Sequence, residues 1–224
     1  MPSNVQDLYN MALTHKGGDV DLLESLLETA KSPAELAAIP DDRWLSGVSK
    51  AIFSAGFNWS VVDKKWLAHE AAFENFEPGV LANWPDERIE ELLSDASIIR
   101  HGAKIRSVRE NAVFFCDLAD EHGSAAAFFA NSDPTAYFAM LDTIKRRGSR
   151  MGGTGVQYFL RKMGAPSLIL TSSVSAALFR EGVVDKPPTS KGALKAVQDY
   201  VNQLMADSGK DLTYISRLLA LSTG

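Results

Sequence analysis

Apolar residues recur at intervals of three and four along most of this chain, and this periodicity constrains the fold more than any other feature. Leu22, Leu23, Leu26 and Leu27, which follow a Gly-Gly pair, form one such stripe. One face of an α-helix repeats every 3.6 residues, so stripes of this kind predict amphipathic helices. Helices are predicted over residues 5–14, 19–31, 41–55, 60–74, 86–93, 101–121, 124–130, 134–147, 156–163, 172–180, 190–207 and 211–222.

Local signals add to this pattern at three places. Ser32-Pro33-Ala34-Glu35 has the form of a capping box with proline at the first helical position, which predicts another helix start. The segment from Gly148 to Gly155 is too glycine-rich for a helix and predicts a loop, with the next helix beginning at Val156. Strand signals are sparse, and Ser167–Thr171 is the best candidate strand. The predicted fold class is all-α.

Size and cysteine content favour one domain in a reducing compartment. A chain of 224 residues with 46% hydrophobic composition can bury a core in one domain or two small lobes, and we expect a single domain over residues 1–224. Cys116 is the only cysteine, so an internal disulfide is excluded. The histidines are scattered without ligand-like spacing, so we expect no metal site and no cofactor.

Charge and hydropathy limit the partners. The N-terminal sequence lacks the apolar segment of a signal peptide, and no apolar run reaches membrane-spanning length. These features predict a cytoplasmic protein with no membrane partner, and we expect a monomer. The net charge is −5 and the pI about 5.4, so any nucleic-acid surface must be a local basic patch.

The segment 134–163 contains such a patch around a glycine-rich turn. A glycine loop that opens a helix leaves backbone N–H groups and the positive end of the helix dipole available to an anion. The residues predicted to bind DNA phosphates here are Lys145, Arg146, Arg147, Arg150, Gly152, Gly153, Thr154 and Gly155. The alternative is a helix C-cap and tight turn whose basic residues only face solvent. A nucleotide-binding P-loop is excluded, because no Lys-Ser/Thr pair follows and no alternating strands surround the turn.

Several motifs resemble the type-I DNA-3-methyladenine glycosylases of the helix-hairpin-helix superfamily. They lie in the family's order between residues 41 and 164: Ala55-Gly56-Phe57-Asn58-Trp59, Val61-Val62-Asp63-Lys64-Lys65, Phe73-Glu74-Asn75-Phe76-Glu77-Pro78, the stretch from Leu93 to Ile105, and Lys145-Arg146-Arg147-Gly148 through Gly153-Thr154 to Tyr158. The resemblance implies a two-lobed helical fold with a DNA-binding hairpin and a base pocket between the lobes.

The chain lacks the zinc ligands and the pocket carboxylate that are typical of this family. The family's zinc ligands at the two chain ends have no counterpart, and its pocket glutamate aligns with Ala51. The wider superfamily's catalytic aspartate aligns with Thr171. The catalytic group is therefore unknown, and the chain resembles a divergent branch. Asp63 and Glu70, the nearest acids after the tryptophan, are interpreted as local ion-pair partners of Lys64, Lys65 or arginines.

Two aromatic residues are candidates for a base pocket. Trp59 matches the family's pocket tryptophan, and Phe53 lies about two turns earlier. A base alkylated at a ring nitrogen is cationic, stacks favourably on an indole face and leaves without a proton from a general acid. The alternative is that both are core aromatics. For His101 we favour a structural or phosphate-contact role over a catalytic one.

Three functional hypotheses follow. The first is a monofunctional DNA glycosylase that removes alkylated purines such as 3-methyladenine from damaged double-stranded DNA. It has no lyase step, because no lysine occupies the superfamily's lyase position. The second is a non-catalytic DNA-damage-binding protein of the same fold. The third is a helical interaction protein that no longer binds DNA, for which the acidic pI argues.

Overall fold

A computed structural model describes residues 2–223 of the chain and contains only helices and irregular segments in that range. The all-α prediction is confirmed. The α-helices are α1 (Val5–His15), α2 (Val20–Leu26), α3 (Pro33–Ala37), α4 (Asp41–Ser54), α5 (Trp59–Ala72), α6 (Pro78–Leu81), α7 (Asp86–Ser94), α8 (Gly102–His122), α9 (Ala125–Ala130), α10 (Tyr137–Arg147), α11 (Gly153–Met163), α12 (Ser172–Arg180), α13 (Lys191–Ser208) and α14 (Leu212–Leu221). Two 3₁₀ turns span Glu74–Phe76 and Pro134–Ala136.

The chain divides into two compact units. One comprises the segment up to Lys31, Asp133–Met140 and the segment from Gly164 onward, and the other comprises Ser32–Ser132 and Leu141–Met163. We call the first the terminal unit and the second the hairpin unit, because the second holds the turn between α10 and α11.

The terminal unit is built around α14. This helix is apolar on most of its surface and packs against α1, α12 and α13, with Ile215, Leu218 and Leu219 completely buried. Asp211 caps α14 by accepting the N–H of Tyr214 at 2.9 Å, and its second oxygen accepts the N–H of Ala30 at 3.0 Å. One carboxylate therefore both starts this core helix and holds the chain that follows α2.

The predicted strand at Ser167–Thr171 is wrong. The N–H of Ser167 donates to the hydroxyl of Thr213 at 3.1 Å, and that of Ile169 donates to the hydroxyl of Ser216 at 3.2 Å. Side chains of α14 thus satisfy backbone donors that a strand would pair with another strand. The segment is irregular, and Leu168 and Ile169 within it are buried.

The hairpin unit packs around α4, which contacts α5, α8, α9 and α11. Trp44 of α4 is fully buried, with its ring stacked 4.5 Å from that of Phe129 and its edge toward Phe159 at 5.8 Å. At Gly47 the helices α4 and α11 approach so closely that an added Cβ would lie 2.7 Å from the sulfur of Met163. The helix that carries the predicted pocket position, Ala51, is therefore held tightly against the second helix of the hairpin.

A partly buried ionic network joins α4 to α5. Glu70 accepts both terminal nitrogens of Arg43, at 3.1 and 2.9 Å, the hydroxyl of Ser46 at 2.5 Å and the indole N–H of Trp66 at 3.0 Å. Arg43 also donates to the carbonyl of Asn75 at 2.6 Å, within a turn whose residues have positive φ. Glu70 is thus an ion-pair partner that fixes α5, the helix that begins with Trp59.

Most helix boundaries agree with the prediction, but the second helix ends at Leu26 and does not continue to residue 31, because the backbone is extended at Leu27 and Ala30 is held by Asp211. Two short elements also differ from the prediction. The capping box at Ser32 is present, with Glu35 accepting from both the backbone N–H and the hydroxyl of that serine. The 3₁₀ turn at Glu74–Phe76 and helix α6 were not predicted, because segments of three and four residues are too short for a periodic pattern. Within residues 2–223 no helix is long and apolar enough to cross a membrane.

Candidate active site

The turn between α10 and α11 is short, and left-handed backbone occurs once within it and once at the first residue of α11. Gly148 ends α10 by donating its N–H to the carbonyl of Ile144 at 2.8 Å. Arg150 has φ +59° and Gly153 has φ +63°, a conformation that glycine adopts without the steric cost of a Cβ. The turn thereby joins the two helices through the segment Gly148 to Gly152.

Helix α11 begins three residues earlier than predicted. The expected loop up to Gly155 is wrong, since Gly153, Thr154 and Gly155 form the first helical turn. Glycine suits the first position because its φ of +63° carries no steric cost there, and the first N–H groups of a helix have no partner within it. These N–H groups and the helix dipole make this end of α11 favourable to an anion, as the sequence interpretation required.

A buried asparagine of α8 fixes the turn. Asn111 is fully buried; its Nδ2 donates to the carbonyl of Ser149 at 3.0 Å, and its Oδ1 accepts the N–H of Ser149 at 2.7 Å. The amide side chain thus makes the same pair of hydrogen bonds that a neighbouring β-strand would make with this residue, and it holds the turn in one conformation. Sequence reasoning missed it, although a polar residue that interrupts the buried stripe of Ile105, Val108 and Ala112 is a usable signal.

The predicted basic patch is partly paired with carboxylates. Arg147 donates twice to Glu121, at 2.7 and 2.8 Å, and this hydrogen-bonded pairing raises the pKa of its guanidinium. Arg146 lies 3.1 Å from Asp142 of its own helix. The hydrocarbon stem of Lys145 runs beside Gly152. Lys145 and Arg150 therefore lie at the turn itself, whereas Arg146 and Arg147 lie in ion pairs along α10.

A cleft of about 290 Å³ separates α4 from the turn. Because it includes Ala51, we call it the Ala51 cleft; its lining residues are Val48, Ala51, Ile52, Ala55, Arg150, Met151, Gly152, Gly153, Thr154, Gly155 and Val156. The α4 side is apolar, and the opposite side presents Arg150 and the first turn of α11. No carboxylate lines this cleft, so it offers hydrogen-bond donors and apolar surface to whatever enters.

Trp59 lies at the surface of the same unit, next to the second half of α11. It is 42% exposed, and Tyr158, which is 38% exposed, meets it edge-on with ring centroids 6.4 Å apart. The ammonium of Lys162 lies over the indole, 3.9 Å from the ring centroid. Partial burial of this ammonium lowers the pKa of Lys162 below its usual value; Asp63 opposes that shift and Lys50 adds to it.

Asp63, one turn after the tryptophan, pairs with Lys50 at 2.8 Å. The hydrogen bond and charge of Lys50 lower the pKa of Asp63. Asp63 is therefore an ion-pair partner as interpreted, but the predicted partners Lys64 and Lys65 are wrong, since the lysine that it pairs with is on α4. A carboxyl group with a lowered pKa is ionised at neutral pH and has no proton to donate.

Phe53 lies in the core instead of at a pocket surface. It has no exposed area and is enclosed by Trp66, His69 and Phe73, with ring centroids 6.2, 4.8 and 6.3 Å away. A buried ring surrounded by other rings has no face available to a base. Of the two aromatic residues proposed for the pocket, the structure brings only Trp59 to the surface.

Lys104 is a buried cation that sequence reasoning missed. It is 3% exposed and donates to the carbonyls of Phe53 and Ala55 at 3.0 and 2.6 Å, so it caps the C-terminal end of α4. Burial, together with the charge of Arg150, lowers the pKa of Lys104. Its ammonium also lies 4.5 Å above the ring of Phe57. The residue holds the end of the helix that lines the Ala51 cleft.

The remaining candidates have structural roles in this geometry. His101 is the N-cap of α8, and its Nδ1 accepts the N–H of Lys104 at 3.4 Å. In the terminal unit, Thr171 is the N-cap of α12, and its hydroxyl accepts the N–H of Val174 at 3.1 Å. Among residues 2–223, histidine, cysteine and acidic side chains form no cluster suited to a metal ion.

Two helices joined by a glycine-containing turn, in an otherwise helical chain, define a helix-hairpin-helix protein. The 8-oxoguanine DNA glycosylase of Methanocaldococcus jannaschii has a similar fold, with 11% sequence identity, a TM-score of 0.56 and coverage of 96% of this chain and 94% of that one. The 3-methyladenine DNA glycosylase I of Staphylococcus aureus is 20% identical, with a TM-score of 0.51 over 65% of this chain and 86% of that one. These similarities confirm the glycosylase-type fold.

The family follows from sequence similarity. The methyladenine glycosylase family model matches residues 47–164, which is more than half of the chain. DNA-3-methyladenine glycosylase 1 of Escherichia coli (strain K12) is 30% identical over 129 residues, which cover 49% of this chain and 69% of that protein. The chain belongs to the methyladenine glycosylase family, and the resemblance noted from its motifs is confirmed.

Proposed function

We propose that this protein is a base-excision repair glycosylase that hydrolyses the N-glycosidic bond of alkylated purines, such as 3-methyladenine, in double-stranded DNA. One observation carries the proposal: the family match over residues 47–164 spans Ala51, Trp59 and the hairpin turn, and all three lie in one compact unit. An exposed indole, a cleft lined by Ala51 and a glycine turn with cations beside it thus occur in the same unit, which supports the proposal.

The chemistry proceeds without a general acid. A purine alkylated at a ring nitrogen carries a positive charge and is already a good leaving group, so the protein mainly stabilises the separating base and sugar. Trp59 offers an exposed indole for stacking with an extruded base. Ala51 has no proton to give, and Asp63 is ionised because its pKa is lowered by Lys50. Water is the nucleophile, and a neutral base, which leaves poorly without protonation, would be a poor substrate.

The reaction is monofunctional in this proposal. A lyase step needs an amine that attacks the sugar carbon and forms a Schiff base. Lys104 is buried with its ammonium hydrogen-bonded to two carbonyls, and Lys145 lies along the turn beside Gly152. Lys145 and Arg150 are instead assigned to DNA phosphates, which fix the duplex without reading its sequence.

The proposal is tested by release of free 3-methyladenine and 7-methylguanine from methylated duplex DNA. The wild-type protein is expected to release base, and the rate in Trp59→Ala is expected to fall by about five- to 150-fold, because stacking on an aromatic ring contributes roughly 1–3 kcal/mol. Phe179→Ala is the matched control, since it removes an exposed aromatic ring from the terminal unit.

Absence of base release by the wild-type protein would contradict the enzyme proposal. If that protein still bound duplex DNA at low salt, the fold would serve recognition of damage. Equal losses in Trp59→Ala and Phe179→Ala would instead show that truncation of an exposed ring lowers the rate without any role in stacking.

A further inference from the structure

The face of Trp59 already holds a cation. Lys162, near the end of α11, places its ammonium 3.9 Å from the indole centroid, well within the distance of a favourable cation–π contact. The indole is otherwise accessible, with 42% of its surface exposed. A positively charged purine that stacks on this ring would need the same position over the ring face that the ammonium occupies.

The surrounding charges do not compensate for this ammonium. Asp63 is the acidic group that acts on Lys162, but its carboxylate is bound to Lys50 at 2.8 Å. Tyr158, which meets the indole edge-on, is not a carboxylate and offers no counter-charge. Ala51 contributes no charge from α4. Two lysines and one aspartate therefore leave a net positive charge around an exposed ring.

We propose that Lys162 is a specificity-determining residue whose ammonium competes with a cationic base for the face of Trp59. This inference rests on the proposed function, since it takes Trp59 as the stacking surface for the base. A cationic purine must displace the ammonium and also meets its repulsion, whereas a neutral purine meets only the displacement. The wild-type site is thus less selective for cationic bases than the indole alone would be.

The test compares binding of two nucleosides that differ in charge: 1-methyladenosine, a cation at neutral pH, and neutral adenosine. Binding is followed by quenching of tryptophan fluorescence in wild type and in Lys162→Gln, with the Trp59→Phe signal subtracted. Lys162→Gln is expected to raise the affinity for 1-methyladenosine relative to adenosine by about fivefold. The displacement of the ammonium cancels in this ratio, so the change reports the repulsion between two unit charges at close distance in water. Lys64→Gln, which removes an exposed lysine from α5, is the control and should leave the ratio unchanged.

An unchanged ratio in Lys162→Gln, an equal change in Lys64→Gln, or no quenching by either nucleoside would overturn the inference. Base release from methylated DNA, measured on the same variants, separates it from the proposed function. Release by wild type with an unchanged nucleoside ratio would leave the glycosylase proposal standing and remove the role of Lys162. A changed ratio without any release would leave the role of Lys162 standing at a site that binds bases without excising them.

Discussion

At the scale of single residues, the hairpin unit depends on buried polar side chains that each make specific pairings. His69 of α5 is fully buried; its Nδ1 lies 2.8 Å from the carbonyl of Lys65, and its Nε2 accepts the N–H of Ile99 at 3.2 Å. An Nε2 that accepts a hydrogen bond carries no proton, so this geometry requires the neutral ring with its proton on Nδ1. His69 thus joins α5 to the segment before α8 only while it is uncharged.

We predict that the hairpin unit loses stability in acid through His69. Burial lowers the pKa of His69 from its ordinary value of 6.5. Above that value the histidine is neutral in folded and unfolded chains, and the stabilisation is fully present. Below it His69 is protonated in the unfolded chain but stays neutral in the folded chain. The free energy of unfolding therefore falls by up to about 1.4 kcal/mol per pH unit until the pKa of the folded state is reached.

Urea unfolding between about pH 5 and 8 measures this slope. His69→Gln should flatten the pH dependence whatever its effect on absolute stability, and His15→Gln, which removes an exposed histidine, should leave it unchanged. A wild-type slope that persists in His69→Gln would assign the acid sensitivity to other groups.

At the scale of elements, the hairpin is a turn whose conformation is set from outside. Asn111 holds Ser149 from α8, Lys104 caps α4, and Gly47 brings α4 against α11. The first turn of α11 contains two glycines with different demands: Gly153 has φ +63°, and Gly155 has no such requirement. The hairpin therefore needs glycine at one of these positions only.

This difference predicts opposite effects of the same substitution. Gly153→Ala should destabilise the protein by about 1–2 kcal/mol, because alanine in left-handed backbone is strained although space for its Cβ is open. Gly155→Ala should be neutral or stabilising by up to about 1 kcal/mol, since alanine favours helix and its Cβ also meets open space. Urea unfolding of the two variants measures both; equal effects would mean that the left-handed start of α11 is not needed.

At the scale of the whole molecule, a net charge of −5 makes the proposed DNA contact local. Most of a duplex would be repelled by an acidic chain, so attraction has to come from the few cations at the hairpin turn, with Arg146 and Arg147 already in ion pairs. This arrangement suits a protein that recognises an extruded base and holds only a short stretch of backbone.

The proposed contact predicts a shallow salt dependence. With about two to four phosphates neutralised, the logarithm of duplex affinity should fall with the logarithm of salt concentration with a slope of about −2 to −4. Lys145→Gln and Arg150→Gln should each reduce the slope by about 0.9, and Lys210→Gln in the terminal unit should not change it. Titration of labelled duplex at several salt concentrations measures the slope; no change in the hairpin variants would place the DNA contact elsewhere.

The sequence by itself determined the helical class, most helix boundaries and the family. Short stretches of sequence are enough to predict these properties, because periodicity and capping depend on residues within a few positions of one another. The motifs from Ala55 to Trp59 and around Gly153 are likewise contiguous, so their resemblance to methyladenine glycosylases needed no coordinates.

Only the tertiary structure decided what each candidate residue contacts. The clamp of Asn111 on Ser149 joins residues 38 positions apart, and the contact of Lys162 with Trp59 joins two different helices. Phe53 is enclosed by rings of later segments, and the segment after Pro166 is held by hydroxyls of α14 instead of a neighbouring strand. Such contacts depend on how the helices pack against one another. Packing depends on the shapes and burial of side chains throughout the unit, and a local sequence pattern does not contain this information.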